Sequence, residues 1–279
     1  MTPTIRRPAV AGSWYPGSAP AIVEEVEGYL AGVEPSVRPD GLIALVSPHA
    51  GLRYSGPVAA HGYSLLRGRS GLTAILVGPS HHYAYKGVAL WSRGAFETPL
   101  GSAPIDEALA AALMAAGAEF IVDGPRAHQE EHSLEMQLPF LQHLVADLRL
   151  VPCLMGSQSR QEVDALATAL VKTIAAAERP VLLVASSDLS HYNPAPVANR
   201  MDALVVDDVA RLDYERLMAR LEQSHEHACG GGPMVAVMKA ARELGARRSS
   251  ILRYADSGDA GERDKSRVVG YLSAALLAA

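Results

Sequence analysis

Short apolar runs alternate along this chain with longer stretches of helical periodicity, and this alternation is the feature that most restricts its fold. Apolar runs of this length, flanked by Gly, Pro or Ser, are typical of buried strands. We predict strands at residues 42–47, 72–78, 88–91, 148–154, 181–186, 251–254 and 268–272. We predict helices from Ser18 onward and at residues 55–67, 105–116, 131–145, 160–177, 196–210, 213–223 and 230–244. The pattern predicts an α/β fold, with a central mostly parallel or mixed sheet flanked by helices.

The length and composition restrict the class of protein further. The 279 residues suit one large domain, and because no linker-like stretch divides them we assign residues 1–279 to a single domain. A net charge of −5 argues against nucleic acid as a partner, since nucleic-acid binders usually carry a basic patch. The sequence has no apolar run long enough for a membrane span, no secretory signal pattern and only two cysteines. We expect a cytoplasmic protein with reduced thiols and no membrane association.

Three of the predicted strands are followed by a histidine or an aspartate. His49, His81 and Asp188 each lie within three residues of the end of one of these apolar runs. Ligands of open α/β sheets bind beyond the carboxyl ends of the strands, so this repetition predicts one shared cleft. A lone histidine after a strand is more often a turn residue, but two in the same position favour a site. We expect His81 rather than His82 to enter the cleft, because neighbours on an extended segment point opposite ways.

Asp188 and His191 lie three residues apart, which places both on one side of a turn or helix. A carboxylate beside an imidazole orients the ring and raises the pKa of the histidine, as in a general base. The alternative is that Asp188 caps a helix through the amides of residues 189–191. The two roles are compatible.

Cys229 opens a Gly-rich segment just before a predicted helix. The dipole of a helix N-terminus shifts a thiol toward the thiolate, which is both a nucleophile and a soft metal ligand. Cys153 lies inside an apolar run and fits a small buried hydrophobe instead. Of the two thiols, Cys229 is therefore the candidate functional residue.

Residues 128–132 match the H-x-x-E-H pattern of inverted zinc peptidases. On a helix His128 and His132 would share one face, which leaves a zinc-dependent hydrolase open as an alternative function. The pattern is short, however, and Pro139 is expected to bend or stop this helix. No third ligand follows closely downstream.

Six blocks of the sequence form one ordered set: AGSWYPG at 11–17, SPHAGLRYSGPVAA at 47–60, GPSHH at 78–82, EHSLEMQLPFL at 131–141, SSDLSHY at 186–192 and ACGGGP at 228–233. Together they resemble the Memo family. The matching blocks occur in the family's order from about residue 6 to residue 272, so the resemblance covers nearly the whole chain. The resemblance implies a prokaryotic AmmeMemoRadiSam system, in which such proteins occur beside a radical-SAM protein and an AMMECR-type protein. The animal relative is described as a mediator of cell motility.

The family's fold is similar to that of class III extradiol dioxygenases, and this likeness implies roles for individual residues. His49 and His81 match the two histidine ligands of a mononuclear non-haem metal, and Cys229 matches the third ligand. His191 matches the acid/base histidine, with Asp188 beside it. These matches predict a metal centre with an adjacent group that transfers protons.

The remaining inferences concern His132 and the identity of the metal. His132 falls in the block at 131–141, and we include it in the catalytic set as a pocket residue. The dioxygenases complete their site with a carboxylate, whereas this chain offers Cys229. Fe(II) is the expected metal, with copper and zinc as alternatives.

The main functional hypothesis is that the chain carries out metal-dependent redox or oxygenase-like chemistry on an unknown substrate. The alternative is a module that binds a peptide or an anion, with a structural or vestigial metal site. The zinc-dependent hydrolase is the second alternative. A fold alone does not choose between them, because one fold serves many functions.

Overall fold

The computed structural model describes residues 4–34, 36–117, 119–260 and 264–279. Its strands are β1 (Ile5–Arg6), β2 (Leu42–Ser47), β3 (Thr73–Pro79), β4 (Val88–Leu90), β5 (Ala95–Thr98), β6 (Gly101–Pro104), β7 (Ile121–Asp123), β8 (Arg149–Met155), β9 (Val181–Ser186), β10 (His191–Asn193), β11 (Arg248–Asp256) and β12 (Val268–Leu277). Its α-helices are α1 (Ala19–Ala31), α2 (Leu52–Tyr63), α3 (Glu107–Ala116), α4 (Pro125–His128), α5 (Leu138–Leu144), α6 (Arg160–Ile174), α7 (Ala195–Ala210), α8 (Tyr214–Gln223) and α9 (Gly231–Glu243).

The main sheet has the strand order β10-β12-β2-β9-β3-β8-β4-β7, and β11 pairs with β12. Strands β2, β9, β3 and β8 run parallel to one another. At the two ends of this group, β12 pairs antiparallel with β2 and β4 pairs antiparallel with β8. A smaller sheet contains β1, β5 and β6. Because the four central strands are parallel, the segments that follow them leave the sheet at one edge.

Helices pack on the main sheet and bury its centre. Helix α9 contacts β9 and β3 with α6 packed against it, while α2 contacts β2 and β12 with α1 packed against it. Every residue of β3 is buried, including Ile75 and Leu76. A strand covered by helices is apolar at successive positions, which explains the continuous apolar run in its sequence.

The predicted α/β fold, a mixed sheet flanked by helices, is confirmed. Strands β2 and β9 have the predicted bounds, and the runs at 251–254 and 268–272 are parts of the longer β11 and β12. Strands β1, β5, β6, β7 and β10 were not predicted, because two to four residues carry too little periodicity. The assignment of residues 1–279 to one domain stays a prediction.

The helix predicted at 131–145 is wrong in its first half. The chain there forms turns and one 3₁₀ turn, Glu135–Gln137, before α5 begins at Leu138. Pro139 occupies the first turn of α5, where its missing N–H costs no hydrogen bond. The proline therefore starts a helix instead of stopping one.

No helix among the described residues is long and apolar enough to cross a membrane. The cytoplasmic location stays a prediction.

We expect Leu76→Ala to lower the free energy of unfolding by about 3 kcal/mol, because it leaves a cavity in the middle of a fully buried strand. The matched control is Leu204→Ala, since the side chain of Leu204 on α7 is 41% exposed. That control is expected to change stability by about 0.5 kcal/mol or less. Urea unfolding followed by circular dichroism measures both, and equal losses would contradict the burial described for β3.

Candidate metal centre

Three histidines from distant parts of the chain meet at the carboxyl edge of the central strands. Each of His49, His81 and His132 offers one ring nitrogen, and the three nitrogens all lie within 4.8 Å of one another. His49 follows β2, His81 follows β3, and His132 lies between α4 and α5. The rings of His81 and His132 stack with centroids 4.6 Å apart, and the His49 ring meets both edge-on. Imidazole groups converging in this way can hold one metal ion.

Hydrogen bonds fix the tautomer of His49. Its Nδ1 lies 2.8 Å from the Oγ of Ser186, at the end of β9. That hydroxyl already donates to the carbonyl of Ser133 and accepts from the side-chain amide of Gln137. Its own proton is therefore committed, so it accepts from His49, and His49 carries its proton on Nδ1. The unprotonated Nε2 is then the atom available to a metal.

The buried carboxylate of Glu131 supports the other two histidines. Its Oε1 lies 2.9 Å from Nδ1 of His81 and 3.4 Å from Nδ1 of His132. It also accepts the backbone N–H groups of His81, His132 and Ser133 at 2.5, 2.8 and 2.9 Å. Burial alone would raise the pKa of Glu131, but the His81 ring and these N–H groups hold it well below its usual range. A charged carboxylate on Nδ1 leaves Nε2 of His81 as a ligand atom.

Burial favours the neutral form of two of the rings. It holds the pKa of His49 well below its usual value, and the nearby rings of His81 and His132 act in the same direction. Burial also lowers the pKa of His132 to about 4, although the Glu131 carboxylate opposes this effect. Neutral imidazole is the form that binds metals, and burial favours this form for both His49 and His132.

Cys229 lies beside the three-histidine group but outside it. Its Sγ is 3.3 Å from Nε2 of His49 and 3.6 Å from the carbonyl oxygen of Asp188. Burial and the Asp188 carboxylate raise the pKa of this thiol, opposite to the lowering expected from a helix N-terminus. The structure thus brings Cys229 to one of its two predicted partner ligands, His49, and the predicted set of His49, His81 and Cys229 stays an untested alternative to the three-histidine group.

Asp188 and His191 flank the same region. One oxygen of Asp188 accepts the backbone N–H groups of His49 and Ala50, and the other lies 4.0 Å from Nε2 of His49. Asp188 therefore binds the turn after β2 and not the amides of residues 189–191 that the capping alternative required. Burial raises the pKa of Asp188 to about 6.

His191 begins β10 and lines a cavity of about 230 Å³ together with Cys229. The catalytic roles of Asp188, His191 and His132 stay predictions.

The H-x-x-E-H interpretation is wrong about the geometry of His128 and His132. Helix α4 ends at His128, so the two residues do not share a helix face. His128 is buried, donates from Nε2 to the carbonyl of Ala89 and packs against Trp91 and Phe96. This histidine supports the core.

Sequence reasoning missed the residues that hold the centre together. In the sequence Glu131 belongs only to the H-x-x-E-H pattern and to the block at 131–141, and neither Ser186 nor Gln137 is singled out. Their signal is their place in the blocks at 131–141 and 186–192, which the resemblance uses as wholes.

The N-terminal segment was also not assigned a role, although it covers one side of the site. The buried carboxylate of Glu135 pairs with Arg6 and accepts from the backbone N–H of Ala9 and the hydroxyl of Tyr15. These contacts place the Trp14 ring 4.3 Å from the His132 ring. The Trp14 side chain therefore lies along one side of the three-histidine group.

Comparison with known proteins gives a consistent result. A sequence profile described as "Memo-like protein" matches residues 6–275. A MEMO1 family protein of Sulfolobus acidocaldarius is 37% identical over 281 residues, covering 96% of this chain and 98% of the relative. One from Methanobrevibacter smithii is 36% identical over 284 residues, with the same two coverages.

Among solved structures, an uncharacterized protein from Escherichia coli K12 has a similar fold. The TM-score is 0.53, and the match covers 83% of this chain and 99% of that chain at 15% sequence identity. At this identity the likeness supports the fold alone.

We expect acid to destabilise the protein partly through His128. Burial lowers the pKa of His128 to about 3, whereas a histidine in the unfolded chain titrates near its ordinary pKa of 6.5. Between pH 6.5 and pH 3 the unfolded chain binds more protons at this residue than the folded chain does. The free energy of unfolding is therefore highest above pH 6.5 and falls by up to about 1.4 kcal/mol for each pH unit below it. His128→Gln can keep a donor for Ala89 and is expected to flatten the slope of unfolding free energy between pH 7 and pH 5. An unchanged slope in urea titrations at several pH values would contradict this assignment.

Proposed function

This chain belongs to the Memo family, and we propose that it is a mononuclear metal-dependent redox enzyme, oxygenase-like in its chemistry, that acts on a small organic molecule. The observation that supports this proposal is the convergence of His49, His81 and His132. The likeness to extradiol dioxygenases inferred from the sequence blocks points to the same reaction class.

The donor set fits a first-row transition metal. Imidazole nitrogens suit iron, copper and zinc, and a hydrogen bond to the opposite ring nitrogen is the usual support for a ligating histidine. Ser186 gives this support to His49, and Glu131 gives it to His81. We propose Fe(II) as the resident metal, with copper and zinc as the alternatives that metal analysis distinguishes. Bound Fe(II) would supply one-electron chemistry with dioxygen.

The chain's own groups would position the substrate and move its proton. Asp188 is tied to the turn that carries His49, so its free oxygen faces the same space as Nε2 of His49. We propose that this oxygen accepts a proton from the substrate and that His191 exchanges it with solvent, since His191 is only partly buried and lines the cavity at Cys229. Trp14 would shield the His132 side from water.

The partners inferred from the sequence blocks belong to the same proposal. A functional link to a radical-SAM protein and an AMMECR-type protein would place the chain in a multi-protein system that handles an unknown small molecule or peptide.

We expect alanine at His49, His81 or His132 to remove most of the bound metal, because each substitution deletes one of three ligands. The protein would be purified without oxygen in the presence of ferrous iron, and its metal content measured by plasma mass spectrometry. His82→Ala is the matched control, since His82 is exposed and lies outside the group. Cys229→Ala is expected to keep its metal.

Two results would count against this proposal. Loss of metal in Cys229→Ala with retention in His132→Ala would replace the three-histidine site by the His49, His81 and Cys229 set. Absence of stoichiometric metal from the unmodified chain, after exposure to iron, copper and zinc in turn, would contradict a metal-dependent function altogether.

We expect Glu131→Gln to weaken metal binding by about 10- to 100-fold, because it removes the charge that orients His81. The neighbouring Glu130 is exposed, so Glu130→Gln is a control of identical chemistry. Competition with a chromophoric chelator gives both dissociation constants. Equal constants in the two variants would show that Glu131 does not support the ligands.

A further inference from the structure

One side chain, Gln158, holds both ends of the turn that carries Cys229. Gln158 lies between β8 and α6, and its Nε2 donates to the backbone carbonyl of Cys229 at 2.7 Å. Its Oε1 accepts the backbone N–H of Gly232, also at 2.7 Å. Both atoms of the amide are used, so only one orientation of the amide satisfies both partners. The shape of the turn at residues 229–232 therefore depends on a residue that lies 71 positions before Cys229.

The segment that carries Gln158 is itself restrained. The serines on either side of it, Ser157 and Ser159, both donate to the buried carboxylate of Glu162. Ser159 also caps α6 by accepting the backbone N–H of Glu162. Because these bonds fix the residues on both sides, Gln158 is a firm support for the turn.

The glycines after Cys229 let the turn approach its supports closely. A Cβ at Gly232 would lie 2.7 Å from the Cβ of Gln158, and one at Gly230 would lie 2.3 Å from the backbone carbonyl oxygen of Ser186. Both distances are too short for atoms that are not bonded to each other, so a larger residue would push the turn away from Gln158 or from the end of β9. This close approach explains the Gly-rich segment that follows Cys229 in the sequence.

These contacts place the sulfur of Cys229 beside His49. The backbone N–H of Cys229 donates to the carbonyl of Asp188 at 3.3 Å, and its carbonyl accepts from Gln158, so both backbone polar groups are bonded. Sγ then lies 3.3 Å from Nε2 of His49. Two atoms that bind one ion at about 2.0–2.3 Å are roughly 3–4 Å apart. The sulfur is therefore within reach of an ion bound to His49.

We propose that Gln158 is a positioning residue of the candidate metal centre, whose amide holds the Cys229 sulfur beside the ion that the three histidines bind. The part of this proposal that concerns the ion rests on the function proposed above. The hold on the thiol does not, because the two hydrogen bonds of Gln158 join protein atoms only.

The first test measures the thiol in EDTA, so that no metal contributes. Cys153 and Cys229 are the two cysteines of the chain, and peptide mass spectrometry gives the rate at which iodoacetamide alkylates each of them. Gln158→Met keeps the length of the side chain but loses both hydrogen bonds, so we expect it to raise the rate at Cys229 about tenfold. Cys153 is fully buried in β8, directly before the segment that carries Gln158, and its rate should stay unchanged.

Gln161→Met is the matched control, because Gln161 lies on the first turn of α6 with an exposed side chain. It should leave both alkylation rates as they are in the unmodified chain. Equal rates at Cys229 in Gln158→Met and Gln161→Met would overturn the proposal. A parallel rise at Cys153 and Cys229 in Gln158→Met would also overturn it, since that result would assign Gln158 a role in folding alone.

The second test uses Co(II), whose thiolate complexes absorb in the near ultraviolet through sulfur-to-cobalt charge transfer. We expect this band in the unmodified chain and in Gln161→Met, and its absence in Cys229→Ala. In Gln158→Met the band should be lost or strongly weakened although cobalt still binds. A band of equal strength in Gln158→Met and Gln161→Met, or cobalt bound to the unmodified chain without the band, would overturn the placement of the sulfur by Gln158.

The two tests keep this proposal apart from the proposed function. If the unmodified chain binds no Co(II), the metal-dependent function fails, and with it the part of the proposal that concerns the ion. The alkylation rates then still decide whether Gln158 holds the thiol.

Discussion

The candidate centre depends on one buried carboxylate, that of Glu131. A buried charge is costly unless hydrogen bonds compensate it, and Glu131 is compensated by the His81 ring and by three backbone N–H groups. Satisfying the carboxylate therefore requires the turn at residues 131–133 to lie against the segment after β3. That requirement brings the rings of His81 and His132 into contact.

The parallel strands supply the rest of the geometry. Strand β9 lies between β2 and β3, so Ser186 at its end is positioned to hold the ring of His49. The same hydroxyl bonds the carbonyl of Ser133, which joins the sheet edge to the turn that contains Glu131. Arg6 then donates to the backbone carbonyl of Glu131 and pairs with Glu135, which fixes the N-terminal segment against this turn. One connected network of buried polar groups thus links the N-terminus, the sheet and all three histidines.

Part of this arrangement could be predicted from local sequence patterns. The central strands are continuous apolar runs, and His49 and His81 each lie two residues beyond the end of one of them, so periodicity and position are sufficient to predict both. The position of His132 beside His49 and His81 could not be predicted. The apolar spacing at 131–145 favours a helix, whereas the hydrogen bonds of the Glu131 carboxylate hold residues 131–133 in a turn. Asp188 was expected to bond its own chain neighbours, but it bonds the amide of His49, 139 residues away. Contacts of this range follow from tertiary hydrogen bonding, which local periodicity does not encode.

The central claim is that one metal ion binds to one ring nitrogen of each of His49, His81 and His132. An anomalous-difference map, measured at the iron absorption edge from crystals grown without oxygen, tests it most directly. The account predicts a single peak about 2.0–2.2 Å from each of these three nitrogens. A peak coordinated by Cys229 in place of His132, or the absence of any peak between the three rings, would contradict it.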